Sequence, residues 1–312
     1  MNPKIKRIRH FFEYLFFLVM GIVARLLPRR LALFVGARFG DLGFYCIPIR
    51  KKVTLENLRR AFPEKSEKEI KRIARGTYRN LGINAIEHLR FAGMTRQGLL
   101  KLVRFQDEHL IIEALKAGKG IVFAGGHFGN WEYMGCAIGA AGYPVSFVIA
   151  DIHNRYLDNM INAHRKKMGI NLIPKGMAIR GMLRTLRENG SVAMLMDQDA
   201  GQSGVFVDFM GQPSSTPKGP ASFALKTGAA ILFIVPIRQQ DTSIHIMIEK
   251  IDHGHLVGAS ESNIKELTQR CTTLLEKYVR AYPDQWFWMH RRWKTKPADA
   301  DASKPKNTSL PK

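Results

Sequence analysis

The stretch GIVFAGGHFGNWEYMG, residues 120–135, combines a buried strand, a sharp turn and the start of a helix. Its first part, GIVFA, is continuously apolar, which is typical of a strand covered on both faces. The glycines that follow let the backbone turn sharply and let a substrate approach closely. Asn130 is a good helix N-cap, so we expect a helix from about Asn130 to Ala141. Strand, turn and helix in this order indicate a functional site at the carboxyl edge of a parallel sheet.

The same alternation continues along the chain from about residue 108. Apolar strand segments such as VSFVIA (145–150), VAMLMD (192–197) and AILFIVPI (230–237) are separated by helical segments. Strands of this kind predict an α/β fold with a mostly parallel central sheet flanked by helices. Upstream, Ser66 and Glu69 have the spacing of a capping box and mark the start of another helix.

The N-terminus predicts a membrane-associated helix. A basic cluster, KIKRIRH, precedes an apolar run whose uninterrupted part, Tyr14 to Ala24, is 11 residues long. That is well short of the roughly 20 residues needed to cross a bilayer. Basic residues on both sides suit a helix that lies in, or dips into, an anionic leaflet. A single span with Glu13 and Arg25 snorkelling, and a buried core helix, stay open as alternatives. No A-x-A cleavage site follows, so we do not expect a removable signal peptide.

The charge balance points to phosphate-bearing partners. Lysine and arginine total 48 against 26 acidic residues, a net charge of +22, which favours nucleic acid, a membrane surface or an anionic substrate. The basic residues are dispersed and no RRM, KH, helix-turn-helix or zinc-finger pattern occurs, so nucleic-acid binding is disfavoured. The three cysteines are far apart and form no CxxC pair, which favours a reducing compartment.

His127 and Glu132 are the candidate catalytic pair. A carboxylate that accepts the Nδ1 proton of a histidine fixes its tautomer and leaves Nε2 free as a base. A core histidine bonded to the backbone is the simpler alternative. Cys136, one turn beyond Glu132, keeps a covalent cysteine mechanism open, although a cysteine in such an apolar helix is more often a packing residue. A metal site would draw its further ligands from His153, Asp197 and Asp199, but no ligand spacing indicates one.

HFGNWE at 127–132 is an HxxxxE motif, and here the chain resembles the lipid A biosynthesis acyltransferases, a lauroyl/myristoyl transferase family within the lysophospholipid acyltransferase superfamily. The resemblance covers roughly residues 5–294. Its other blocks are NLRRAFPEKS (57–66), MDQDAGQSGVFVDFMGQPSSTPKGPASFALKTGA (196–229) and QWFWMHRRWK (285–294). FPE precedes the histidine motif and the acid is Glu, which separates the chain from the glycerolipid enzymes. Met210 and Ser214-Ser215 are mild departures that bear on acyl-chain or acceptor choice.

The resemblance implies transfer of an acyl chain from acyl-acyl carrier protein to a hydroxyl of a phosphorylated glucosamine disaccharide, without a further cofactor or metal. It implies an inner-membrane enzyme whose catalytic domain faces the cytoplasm. His127 would be the general base and Glu132 its orienter. The oxyanion would be held by turn amides near Gly126, Gly129 and Asn130, or by a cation. Candidate substrate-binding residues are Arg165 (acceptor phosphate or the glutamate), Asp197 and Asp199 (positioning), and Thr216, Lys218 and Gly219 (phosphate).

The expected organisation is an anchor with basic flanks at 1–30, an acyltransferase domain at 31–294 and a disordered tail at 295–312. Arg291, Arg292 and Lys294, set between tryptophans, suit a headgroup-level surface. The many Met and Phe residues could line an acyl tunnel. A lysophospholipid, an ornithine lipid or another glycolipid as acceptor, with acyl-coenzyme A as donor, stays open as the alternative reaction.

Overall fold

A seven-stranded sheet forms the centre of the computed structural model, which describes residues 3–47, 49–150 and 152–297. The strands in chain order are β1 (Val103–Phe105), β2 (Ile121–Gly125), β3 (Val145–Ile149), β4 (Ile170–Pro174), β5 (Ser191–Leu195), β6 (Val205–Phe209), β7 (Gln212–Thr216), β8 (Ala230–Arg238) and β9 (Ile244–Ile251). The sheet has the order β1-β9-β8-β2-β5-β3-β4, and β6 and β7 form a separate antiparallel pair. Every neighbouring pair in the large sheet is parallel except β8 and β9, so the predicted mostly parallel sheet is confirmed.

Helices cover both faces of this sheet. They are α1 (Pro3–Leu26), α2 (Arg29–Cys46), α3 (Lys51–Ala61), α4 (Glu67–Phe91), α5 (Arg96–Leu100), α6 (His109–Lys116), α7 (Trp131–Ala140), α8 (Arg155–Lys167), α9 (Ala178–Arg187), α10 (Gly219–Thr227) and α11 (Glu261–Ala281). In β2, Val122 and Ala124 belong to one core cluster, while Ile121 and Phe123 belong to the other. Successive strand residues point to opposite faces, so β2 is continuously apolar because both of its faces are buried.

The strand order explains where a site can form. From β2 the chain crosses through α7 to β3, on the far side of β5. From β5 it crosses through α10 to β8, on the far side of β2. The carboxyl ends of two adjacent parallel strands therefore send their connections in opposite directions, which opens the crevice where α/β proteins place their ligands.

The N-terminal helices pack on α4 and leave an apolar surface exposed. Helix α2 approaches α4 closely, since a Cβ atom on Gly36 would lie 2.7 Å from the carbonyl oxygen of Gly82. Large apolar side chains that are exposed on α1 and α2 are Ile5, Ile8, Phe11, Phe12, Leu15, Phe16, Val19, Ile22, Val23, Leu26, Leu31, Phe34, Phe39, Leu42 and Tyr45. Among the described residues no single helix has the length and apolarity of a membrane span, although α2 and α3, bent by 93°, meet both criteria together. Of the predicted tail, residues from 298 onward lie outside the described residues.

Candidate active site

The turn between β2 and α7 depends on a glycine. Gly129 has φ +44°, and a Cβ atom there would collide with the carbonyl oxygen of Pro236. Asn130 then caps α7, because its side-chain oxygen accepts a hydrogen bond from the Tyr133 N–H at 3.0 Å. This is the N-cap expected from the sequence. Gly129 and the Asn130 cap thus shape the turn, and His127 lines the cavity beyond the strands.

His127 is held by Asp197, which directly follows β5. The Nδ1 atom of His127 lies 2.8 Å from Oδ1 of Asp197, and the backbone N–H of His127 donates to Oδ2 at 2.7 Å. The indole N–H of Trp286 donates to the same Oδ2 at 2.8 Å. With Nδ1 occupied by a carboxylate, Nε2 carries no hydrogen bond to the described residues. His127 has the arrangement of a histidine base with its orienting acid.

The orienting acid differs from the expected one. We predicted that Glu132 would bind His127, and this is wrong, because Asp197 occupies Nδ1. Glu132 lies in the first turn of α7, and both of its carboxylate oxygens are taken by Arg165. Asp197 reaches His127 because β5 is the parallel neighbour of β2, so the two strand ends meet. From the sequence, Asp197 is expected to have only a structural or substrate-positioning role.

Asp197 stays ionised although it is almost fully buried, with 2% of its surface exposed. Burial opposes the charged carboxylate, but the hydrogen bonds and charge of His127, together with the bond from Trp286, outweigh it and hold the pKa of Asp197 below its ordinary value. A carboxylate that remains charged can stabilise the imidazolium that forms when Nε2 accepts a proton.

Glu132 and Arg165 form a two-pronged ion pair. Nε and Nη2 of Arg165 lie 2.7 and 2.9 Å from the two carboxylate oxygens. Burial acts against the guanidinium charge, but the hydrogen bond and charge of Glu132 prevail and raise the pKa of Arg165. Of the two partners expected for Arg165, an acceptor phosphate and the glutamate, the structure shows the glutamate. Bidentate pairs of this kind fix geometry as well as charge.

Cys136 is poorly placed to act as a nucleophile. Its side chain is fully buried, and its Sγ atom lies 3.9 Å from Oε1 of Glu132. Burial and the neighbouring carboxylate raise the pKa of the thiol well above its ordinary value. A thiol is nucleophilic as the thiolate, so this environment disfavours the covalent alternative.

Three backbone amides of the turn between Gly126 and Asn130 are occupied by hydrogen bonds within the protein. The N–H groups of His127, Phe128 and Gly129 donate to Asp197, to the Gly126 carbonyl and to the Gln285 carbonyl, respectively. Of the residues expected to hold the oxyanion, Gly129 has its amide occupied in this way, whereas the contacts expected for the amides of Gly126 and Asn130 stay predictions. The other prediction, a cation, is represented near His127 by Arg165.

Two cavities meet at the Glu132–Arg165 pair. The first, of about 460 Å³, is lined by His127 and by apolar side chains that include Met134, Phe147, Met182 and Met194. The second, of about 300 Å³, is lined by residues of α4 and α8 and by Phe17 of α1. Trp131, Glu132 and Arg165 line both cavities. The predicted Met and Phe lining is thus present beside the histidine.

A buried carboxylate that we did not identify from the sequence holds the turn from behind. Glu87 of α4 is 1% exposed and accepts hydrogen bonds from Arg238 at 2.6 and 2.8 Å and from Arg29 at 3.0 Å. It also accepts from Nδ2 of Asn130 at 2.7 Å, and Asn84, one turn earlier, donates to the Gly129 carbonyl at 2.5 Å. Sequence pattern offered no way to find Glu87, because its partners Arg29, Asn130 and Arg238 come from three distant segments.

Other predicted site residues lie elsewhere. Asp199 accepts hydrogen bonds from the backbone N–H and hydroxyl of Thr295, at 3.1 and 2.8 Å. Lys218 is exposed, and the phosphate contact predicted for it and for Gly219 stays a prediction. No set of three or more His, Cys, Asp or Glu side chains suited to a metal occurs in the part of the chain that the structure describes.

Thr216 and Arg292 bind each other in the interior. Both side chains are fully buried, and Arg292 donates to the Thr216 hydroxyl at 2.5 Å and to the Ser215 carbonyl at 2.6 Å. The phosphate contact predicted for Thr216 and the headgroup-level position predicted for Arg292 are therefore wrong. The guanidinium is used instead to bind buried oxygens of β7. Arg291 and Lys294 are exposed as expected.

Comparison with known proteins identifies the group to which this site belongs. The family model for bacterial lipid A biosynthesis acyltransferases matches residues 1–295. The chain belongs to this family. The resemblance found from the sequence is confirmed, and the protein is an O-acyltransferase.

Curated relatives of this acyltransferase act in two kinds of lipid pathway, according to their names. The lipid A biosynthesis palmitoleoyltransferase of Escherichia coli is 25% identical over 278 residues, 87% of each chain. The lipid A biosynthesis lauroyltransferase of the same species is 24% identical over 306 residues, 93% of each chain. The phosphatidylinositol mannoside acyltransferase of Mycolicibacterium smegmatis is 27% identical over 188 residues, and that match spans only 58% of this chain and 59% of the relative.

Proposed function

We propose that this acyltransferase transfers a fatty acyl chain from acyl-acyl carrier protein to a hydroxyl of a lipid A precursor, a phosphorylated glucosamine disaccharide. The observation that carries the proposal is the His127–Asp197 pair, whose Nε2 has no protein partner among the described residues, at the wall of an apolar cavity. A thioester already holds an activated acyl group, so the reaction needs a base and a binding site but no additional cofactor or metal.

The reaction proceeds by direct transfer. Nε2 of His127 takes the proton of the acceptor hydroxyl while its oxygen forms a bond to the thioester carbonyl carbon. The carbon–sulfur bond then breaks, and the imidazolium returns the proton to the leaving thiolate. Asp197 holds the ring and stabilises its positive charge during the step. General-base assistance of this kind contributes about 10²–10⁴-fold.

Arg165 supplies positive charge near the developing oxyanion. Its guanidinium lines the same cavity as His127, and Glu132 fixes its direction through two hydrogen bonds. A fixed cation in a water-poor site stabilises charge that develops in the transition state. In this scheme the glutamate of the HxxxxE motif orients the arginine, and the histidine has a separate acid.

The enzyme works at the cytoplasmic face of the inner membrane. The exposed apolar side chains of α1 and α2 would enter the lipid, and the +22 charge suits anionic headgroups and an acidic carrier protein. The second cavity, which reaches Phe17 of α1, lies where a lipid acceptor could enter from that surface. This arrangement agrees with an acceptor that is a membrane glycolipid.

The test is a transfer assay with the purified full-length chain and a panel of acyl-carrier-protein and acyl-coenzyme A donors. The acceptors are a tetra-acylated disaccharide precursor and a phosphatidylinositol mannoside, which the mycobacterial relative suggests as the second candidate. We expect transfer to the disaccharide from carrier-protein donors, and a loss of about 10³-fold in His127→Ala. Transfer to the mannoside alone would reject the proposed acceptor, and full activity in His127→Ala would reject the mechanism.

A further inference from the structure

A third cavity, separate from the one beside the catalytic histidine, brings together residues 52–60 and 291–294, to which the acyl-transfer site gives no role. It has a volume of about 560 Å³ and is lined by residues of α3, both before and within NLRRAF (57–62), and by residues of HRRWK near the C-terminus. Asn57 joins the two blocks, because its side-chain amide donates to the carbonyls of Trp288 and His290 at 2.9 and 2.6 Å. None of its lining residues lines the cavity beside His127.

The lining of this cavity is strongly cationic. Lys52, Arg59, Arg60, Arg291 and Lys294 line it against a single carboxylate, Glu56. Arg59 is neutralised by Glu67, with N–O distances of 2.6 and 3.0 Å. Arg60, Arg291 and Lys294 have no carboxylate partner among residues 3–47, 49–150 and 152–297. Such an excess of unpaired cations in one cavity favours an anionic ligand.

A side chain in the same wall, Trp293, has an unused hydrogen-bond donor. Trp293 is 4% exposed and lines the cavity, and its indole N–H has no acceptor within the described part of the chain. Arg60 lies over the ring of Trp293, 5.6 Å from its centre. Buried donors are normally satisfied, so an indole N–H that lacks an acceptor is unusual and is free to bind an acceptor oxygen if one comes within reach. Guanidinium, ammonium and indole N–H groups offer donors only, and the oxygens of a phosphate accept from all of them.

We propose that this cavity binds a phosphate group of an anionic lipid headgroup. Exposed apolar residues shortly before α3 favour a lipid as the source of this phosphate. They are Tyr45, Ile47 and Ile49, at and after the end of α2, and they are 51–65% exposed. Lys52, at the cavity, follows only three residues after Ile49. If the apolar side chains enter a bilayer, the cavity lies at headgroup level. The inference does not depend on which acceptor is acylated.

Binding of inorganic phosphate tests the site directly. In full-length protein labelled with ¹⁵N-tryptophan there are four indole N–H signals, and Trp293→Phe assigns the one of interest. We expect that signal to shift saturably as phosphate is added. Arg291→Gln/Lys294→Gln should weaken binding about tenfold, since each cation near an anionic surface contributes measurably. The matched control, Arg180→Gln/Arg187→Gln on the exposed side of α9, removes the same charge and should leave the affinity unchanged.

Vesicles distinguish the source of the phosphate. Wild type should bind phosphatidylcholine vesicles containing phosphatidic acid more tightly than the double variant of Arg291 and Lys294 does, whereas both should bind pure phosphatidylcholine alike. If only inorganic phosphate responds to the substitutions, the lipid source is wrong. Three outcomes would contradict the phosphate site itself. The Trp293 indole signal does not shift with phosphate, or the α9 control variant loses as much phosphate affinity as the double variant of Arg291 and Lys294. The third is that the substitutions weaken only the binding of carrier protein.

Discussion

The two ends of the catalytic turn are secured by unrelated parts of the chain. At one end His127 binds Asp197 and, through it, Trp286. At the other end Glu132 binds Arg165 of α8. The two groups are five residues apart and line one cavity, yet each has its own separate partner. Short spacing in sequence therefore does not make an acid and a base a pair, and the strand order decides which carboxylate reaches the histidine.

Replacing the acid at the His127 end should have the largest effect. In Asp197→Asn the side chain keeps its shape, but an amide cannot stabilise the imidazolium and favours the wrong tautomer. We expect kcat to fall about 10³-fold with little change in KM for the acyl donor. Steady-state transfer from acyl-carrier protein measures this effect.

Asp199→Asn is the matched control, because Asp199 lies two residues further on and binds Thr295. It should retain most of the activity. Equal losses in the two variants would show that the effect comes from disturbing the segment after β5, and the distinct role of Asp197 would have to be withdrawn.

The fold was accessible from sequence because its determinants are local. The continuously apolar β2, the glycine turn and the Asn130 cap each lie within a few residues, and each forms as predicted. The partner of His127 was not accessible in this way. Asp197 is 70 residues away, and only the adjacency of β2 and β5 brings it to the ring. Resemblance to a family supplied the HxxxxE motif but no contacts between its residues.

The interior polar residues were the hardest to predict. Arg292 lies in a run of basic and aromatic residues that suits a lipid surface, but the chain turns it inward to the oxygens of β7. Glu87 has no distinguishing neighbours in the sequence. Buried charges are tolerated only when partners compensate them, and such partners are assembled by the tertiary structure.

Weakening the Glu132 end should cost less than losing Asp197. Arg165→Lys keeps the charge but loses the two-pronged bond, and Glu132→Gln loses the charge. We expect each to lower kcat/KM about 30-fold, and the double variant to lose less than the product, because residues in contact couple.

The pH–rate profile separates the two ends. Glu132→Gln should leave the limb assigned to His127 in place, and a shift of that limb would return Glu132 to the role of orienting acid.

Glu87→Gln tests whether the support behind the turn matters for stability. Burial tends to raise the pKa of the Glu87 carboxyl group. The guanidinium groups of Arg238 and Arg29 outweigh burial and lower that pKa in the folded protein. We expect the variant to lose about 3 kcal/mol in the free energy of unfolding at neutral pH, because arginines remain buried without their counter-charge.

The pH dependence of that loss has a definite sign. Because the pKa of Glu87 is lower in the folded protein than in the unfolded chain, its charge contributes its full stabilisation at pH values above the unfolded-state pKa of roughly 4.3. This stabilisation is lost as the pH falls through the folded-state pKa. The difference between wild type and Glu87→Gln should therefore shrink on acidification, as measured by denaturant titrations. Glu67→Gln, which removes a carboxylate from an exposed pair with Arg59, is the control and should change little. A pH-independent difference would mean that packing, rather than charge, explains the loss.

Cys136 offers the smallest expected effect and the sharpest check on direct transfer. It lies one helical turn from Glu132, but burial and that carboxylate keep its thiol protonated. Cys136→Ala should keep kcat within about twofold and lower stability by about 1 kcal/mol, since only a small buried group is removed. Mass spectra of wild type quenched during turnover should show no acyl adduct. An acyl adduct on Cys136 would contradict direct transfer, and the thiol would then have to lose its proton in spite of the neighbouring Glu132 carboxylate. The absence of an adduct would agree with direct transfer, in which His127 is the base and Arg165, held by Glu132, supplies the positive charge.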